Sequence, residues 1–192
     1  MKKNILAQWA KPMSNLGYAV ICMTLISSSW AKESPLKTVD KVELDQYLGV
    51  WYEIARKPNS LENQCVRDVS FSYTLSEYGN MLIEQRCYDQ QDQLVQNFGE
   101  AYASNAPWYN KFRVSYLPDG IRWLPIGKNQ YWILKLDQDY KMALIGDPER
   151  QYLWLLSREP HPDAQSIKAY LDYAQAQGYQ LNNLIYSPHG QN

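Results

Sequence analysis

Gly49-Val50-Trp51-Tyr52-Glu53-Ile54-Ala55-Arg56 is the stretch on which the fold turns. A glycine opens it, β-branched and aromatic residues fill it and no proline interrupts it, which favours an extended strand. Alternate side chains of a strand share a face, so an inward Trp51 carries Glu53 and Ala55 inward with it. A carboxylate on an inner face is costly unless it is paired or hydrogen-bonded. Glu53 is therefore either a hook for the polar end of a ligand or a structural acid satisfied by tyrosines or by Lys135.

The same period of two continues outward from this stretch. Val66 to Leu75 and Met81 to Tyr88 alternate in the same way, joined by a turn at Ser76-Glu77-Tyr78-Gly79-Asn80. Further strands are predicted at Gln93 to Ala103, Lys111 to Leu117, Tyr131 to Asp137, Met142 to Gly146 and Tyr152 to Ser157. Eight short strands with regularly spaced turns predict an all-β fold, an eight-stranded antiparallel up-and-down β-barrel. One segment follows another period. Ile167, Tyr170, Leu171 and Ala174 form a single apolar stripe within Asp163 to Gln177, with Pro162 before it and Gly178 after it. This predicts one C-terminal helix packed outside the barrel, and Leu184-Ile185-Tyr186 is read as a short final strand.

The first residues have another composition. Lys2, Lys3 and Lys11 precede an apolar run from Leu16 to Ile26, and Ser29-Trp30-Ala31 fits a small-x-small cleavage site. The run is too short to span a bilayer as a mature helix. It is read as a signal peptide over residues 1–31, leaving residues 32–192 as one exported domain, periplasmic or at the outer membrane. Cys22 is the place where a lipoprotein anchor would attach, but Ile21 is a poor residue before such a site. Removing three lysines and no acids leaves 16 − 20 = −4 from the 19 basic and 20 acidic residues. No basic stripe remains to suit a nucleic acid.

Three separated segments resemble the signatures of one family. Gly49-Val50-Trp51 matches a G-x-W motif, Asp139-Tyr140 matches the end of a T-D-Y motif with Gln138 in place of threonine, and Tyr152-Leu153-Trp154-Leu155-Leu156-Ser157-Arg158 matches an aromatic strand ending in arginine. In this order and spacing they resemble the lipocalins, in the branch of the bacterial lipocalins and apolipoprotein D. The resemblance spans about Leu36 to Ser187. It implies that Trp51 plugs the closed end, that Arg158 lies across its indole, and that the loop of Asp139 and Tyr140 closes the same end. It implies a carrier of fatty acids or lysophospholipids, in contact with outer-membrane lipids, with no cofactor or metal, and with homodimers known in the branch.

Carrying the family's register to the later strands gives an inner face. It holds Glu53, Ala55, Val69, Phe71, Tyr73, Met81, Ile83, Gln85, Ala101, Phe112, Val114, Tyr116, Tyr131, Ile133, Tyr152, Trp154 and Leu156. Such an apolar and aromatic lining with a few polar atoms suits an acyl chain whose head stays near the mouth. The loop from Pro118 to Gln130 carries Ile121, Trp123, Leu124 and Ile126, unusually apolar for a connection. Trp123 is either a buried lid or a contact for the membrane and the emerging end of the ligand. Cys65 begins the second strand and Cys87 ends the third, close enough in an antiparallel pair for a disulfide. The other reading is a cavity thiol, as in lipocalin-type prostaglandin isomerases. Beside the carrier stand two further functions, a lipocalin-fold enzyme and an envelope partner module. The enzyme reading finds no G-x-S-x-G, no metal-spaced cluster, and only His161 and His189 as histidines.

Overall fold

Each segment of period-two alternation forms a strand in the computed structural model, which describes residues 34–190. The signal peptide expected over residues 1–31 and the role of Cys22 lie outside the described residues. After a single helical turn, α1 (Leu44–Tyr47), come β1 (Gly49–Arg56), β2 (Arg67–Leu75), β3 (Met81–Tyr88), β4 (Leu94–Ala103), β5 (Lys111–Ser115), β6 (Lys128–Leu136), β7 (Met142–Gly146) and β8 (Leu153–Ser157). Consecutive strands pair antiparallel, and β1 pairs with both β2 and β8, so the sheet closes into the expected eight-stranded barrel. Closure leaves no long free edge. β5 stops two residues short of Leu117, where the chain turns and the Leu117 N–H reaches the Ser115 hydroxyl.

Two apolar clusters hold the fold. One fills the barrel, from Trp51 and Val69 to Ile133 and Leu156. The other lies outside it, between β1, β6, β7 and β8 and the helix α2 (Ala164–Ala176). The predicted stripe faces that second cluster, with Tyr170 and Ala174 buried and Ile167 and Leu171 half-buried. Asp163 caps the helix by accepting the Ser166 N–H at 2.8 Å. Beyond α2, Tyr179 packs on Gly146 so closely that a Cβ there would lie 2.0 Å from its hydroxyl oxygen. Only glycine admits that approach.

Bulges correct the inner face. Pairing of β1 with β8 shifts between Glu53 and Ala55, and that of β6 with β7 between Ile133 and Lys135. An extra residue reverses alternation beyond it. Ala55, expected inside, therefore packs in the outer cluster beneath α2, while Arg56 turns into the barrel.

β2 parts from β1 after the Tyr52–Ser70 pair, and the C-terminal segment fills the gap. There β9 (Ile185–Tyr186) pairs with Arg56 and Ala55. Ser187 N–H then donates to the Ile54 carbonyl, and Asp68 N–H donates to that of Pro188.

Candidate ligand site

The closed end is built around Trp51, which is fully buried and donates its indole N–H to the Tyr47 carbonyl at 2.8 Å. The Arg158 guanidinium lies 4.0 Å from the centre of the Trp51 ring. It also donates to the carbonyls of Val50 and Leu48 at 2.7 Å each and Gln46 at 2.8 Å, satisfying the C-terminal end of α1. The neighbouring loop is held by Asp137, whose carboxylate accepts the Lys141 and Met142 N–H groups at 2.9 and 2.6 Å. Tyr140 takes positive φ there, and its hydroxyl accepts the Glu43 N–H at 2.8 Å. Asp139 points to solvent.

Above this plug three phenols meet. The Tyr131 hydroxyl lies 2.8 Å from that of Tyr47 and 2.9 Å from that of Tyr73. Burial pushes all three above the ordinary tyrosine range, so they remain neutral hydroxyls.

A cavity opens over the phenols toward the mouth. Eight of the expected inner residues line it: Phe71, Tyr73, Val114, Tyr116, Tyr131, Tyr152, Trp154 and Leu156. Its empty volume is about 580 Å³ counted out through the mouth. This slot, walled mainly by aromatic and aliphatic side chains, suits a small hydrophobic ligand. Val69, Met81, Ile83, Ala101, Phe112 and Ile133 are buried in the barrel cluster without lining the slot, and Gln85 is buried beside it in a polar group. Trp123, expected at the site, lies outside it. Its side chain is 69% exposed, and its indole N–H donates to the Gly120 carbonyl. Arg122 ties the loop to the Leu117 and Phe98 carbonyls, and with its ring exposed Trp123 is not a buried lid.

Glu53 is paired in an unforeseen way, through one of its two oxygens. Neither tyrosines nor Lys135 reach it; the Lys135 ammonium lies over the Tyr170 and Tyr173 rings outside the barrel. Arg56 Nη1 donates to Glu53 Oε1 at 2.6 Å, and the Ser187 hydroxyl donates to the same oxygen. Arg56 also meets Glu62, with Nε 3.1 Å from Glu62 Oε2. Glu62 comes from the β1–β2 connection, which folds inward, and it is fully buried. Its carboxylate accepts from Gln85 at 2.7 Å, from Asn59 at 2.8 Å and from the Trp154 indole at 3.2 Å. Burial and the neighbouring Glu53 charge push the Glu62 carboxyl up to about 8.

Sequence reading missed Arg56, Asn59, Ser60, Leu61, Glu62, Asn129 and Gln130. Asn59 to Glu62 fall between the expected strands, Asn129 and Gln130 precede the expected start of a strand at Tyr131, and strict alternation turned Arg56 outward. The one available signal was the tether: Glu62 lies three residues before Cys65, whose disulfide to Cys87 pins the loop to β3 with Cα atoms 5.5 Å apart.

A lipocalin-like domain model matches residues 42–189. The chain belongs to the lipocalin family. Relatives of this lipocalin include temperature-induced lipocalin-1 of Arabidopsis thaliana, 29% identical over 82% of the chain and 84% of the relative. The outer membrane lipoprotein Blc of Vibrio cholerae is 27% identical over 88% of the chain and 95% of its own length. Apolipoprotein D of Mus musculus is 26% identical over 76% of each chain. Insecticyanin of Manduca sexta shares the fold, with a TM-score of 0.59 at 15% identity over 82% of this chain and 91% of that one. Lipocalins are in general binding and transport proteins, and this lipocalin carries the family's cavity for a small hydrophobic ligand.

Proposed function

We propose that this lipocalin is an exported carrier of the bacterial cell envelope that holds a fatty acid or lysophospholipid by its acyl chain. In this reading residues 1–31 are removed as a signal peptide, and the domain works in the periplasm beside the outer membrane. Relatives named outer membrane lipoproteins support that location. The observation that carries the function is the slot: walled mainly by aromatic and aliphatic side chains, plugged by Trp51 and open at the opposite end. A single chain of methylene groups fits such a shape and buries its length there, each methylene contributing about 0.8 kcal/mol. The exposed side chains of Ile121, Trp123 and Ile126 project from the connection after β5, at the mouth end. They supply the membrane contact through which ligand is exchanged, as tryptophan favours interfaces. Native mass spectrometry of protein purified without detergent tests the reading, with extraction and identification of the bound lipid. An acyl-chain lipid in stoichiometric amount is expected. Protein that is empty, and that stays empty when offered such lipids, overturns it.

A further inference from the structure

The slot has no cation of its own. None of the residues lining it is a lysine, arginine or histidine. The buried guanidinium behind the wall, Arg56, is held by acids and carbonyls: Nη1 bonds Glu53, Nη2 bonds the carbonyls of Glu62 and Cys65, and Nε lies 3.1 Å from Glu62. Two buried carboxylates thus share one arginine, and Glu53 Oε2 and Arg56 Nε are both left without a hydrogen-bond partner. Glu62 sits directly behind the wall, because its two neighbours Asn59 and Trp154 both face the slot. The wall itself is aromatic there, with the Trp154 ring centre 6.0 Å from that of Tyr152 and 6.4 Å from that of Tyr131.

We propose that the slot selects amphiphiles whose head is a cation, an ammonium group on an aliphatic chain, with Glu62 as counter-ion and the faces of Tyr131, Tyr152 and Trp154 around it. The proposal rests on the lipid-carrier reading and narrows it. Aromatic faces attract such heads through their quadrupoles, most strongly where water is excluded. A fatty-acid carboxylate in the same seat meets a buried acid and no free positive group, which is the unfavourable arrangement.

The groups facing Glu62 decide its proton. Glu53 and Arg56 reach it from β1, Asn59 from its own loop, Tyr73 from β2, Gln85 from β3, Tyr116 from beyond β5 and Trp154 from β8. Burial and Glu53 raise it more than Arg56, Asn59 and Trp154 lower it, so Glu62 takes up a proton at a pH well above the usual carboxylate range. Wherever Glu62 is protonated, an entering cation displaces the proton into solvent, and its affinity rises with pH until Glu62 is ionised without it.

Calorimetry of the whole protein with dodecyltrimethylammonium and dodecanoate below their micelle concentrations, and dodecanol below its solubility limit, separates the cases. The expected result is roughly tenfold or greater preference for the ammonium over the carboxylate, a step of about 1.4 kcal/mol. Affinity for the ammonium should rise between about pH 6 and about pH 9 with a proton released, read from buffers of different ionisation heat. The quaternary head does not titrate, so that dependence belongs to the protein. Glu62→Gln should flatten it and collapse the ratio of ammonium to dodecanol affinity. Dodecanoate binding as tightly as the ammonium, or a flat pH profile in the wild type, overturns the proposal while the carrier reading stands. Failure of all three chains to bind, dodecanol included, overturns the carrier reading as well. Lauroyl lysophosphatidylcholine identifies the source of the head. Binding that tracks dodecyltrimethylammonium in pH profile points to a choline lysolipid, and weaker, pH-independent binding points to a simple long-chain amine.

Discussion

Arg158 does at one point what several residues would otherwise share. It covers the Trp51 face and closes the carbonyls of Gln46, Leu48 and Val50. Arg158→Ala removes the cation–π contact and leaves those carbonyls to find water at a crowded end. The expected loss is about 2–4 kcal/mol, measured by urea unfolding. Arg56→Ala is the harsher change, because it leaves Glu53 and Glu62 facing each other without a cation. A cost of about 3–5 kcal/mol is expected on the same measurement. Glu62 makes stability depend on pH in a direction that can be read from its environment. Its carboxyl rises from an ordinary 4.5 to about 8 on folding, so the native state binds the proton more tightly than the unfolded chain. That contribution is complete below the unfolded value and is lost as pH rises toward about 8. The unliganded protein should therefore melt at a lower temperature at about pH 8 than at about pH 6, and Glu62→Gln should remove most of that difference.

At the scale of elements, most of the architecture was readable because one rule, alternation of buried and exposed side chains, operates along each strand. β3 and β7 begin and end where that rule places them, and α2 differs from its expected span by one residue at each end. The rule fails where its premise fails. The shift between Glu53 and Ala55 inserts a residue, sending Ala55 to the helix side and Arg56 inside, and no residue there signals it. The inward fold of the β1–β2 connection was equally hidden, because Asn59, Ser60 and Glu62 have the composition of a solvated turn. What holds that connection is tertiary: Glu62 buried among Asn59, Gln85 and Trp154, and the Cys65–Cys87 bridge to β3. Thiol titration of denatured, unreduced mature protein should accordingly find no free thiol. Cys65→Ser should destabilise by about 2–4 kcal/mol. It should also weaken ligand binding beyond that loss, since Asn59 and Leu61 line the slot from the same loop.

For the whole molecule, the two ends of the barrel are chemically unlike, and the difference sets how it can meet a membrane. One end is sealed by Trp51, Arg158, α1 and the Asp137–Tyr140 turn. The other end carries the slot's opening and, beside it, a connection with Ile121 44%, Trp123 69% and Ile126 60% exposed. Leaving such side chains in water costs free energy that a bilayer surface would recover, at roughly 25 cal/mol for each Å² covered. The loop keeps its shape with little help from those side chains. Arg122 ties it to the Leu117 and Phe98 carbonyls and to Asp119, and Trp123 contributes one bond to Gly120. Trp123→Ala should therefore leave the melting temperature almost unchanged, as surface changes within about 0.5 kcal/mol do. If the apolar tips meet the bilayer, that variant should take up a fluorescent acyl lipid from vesicles several-fold more slowly. Its affinity for the same lipid in detergent-free solution should remain as in the wild type. Unaltered uptake from vesicles would remove the membrane role from this loop and leave the slot as the whole of the binding site.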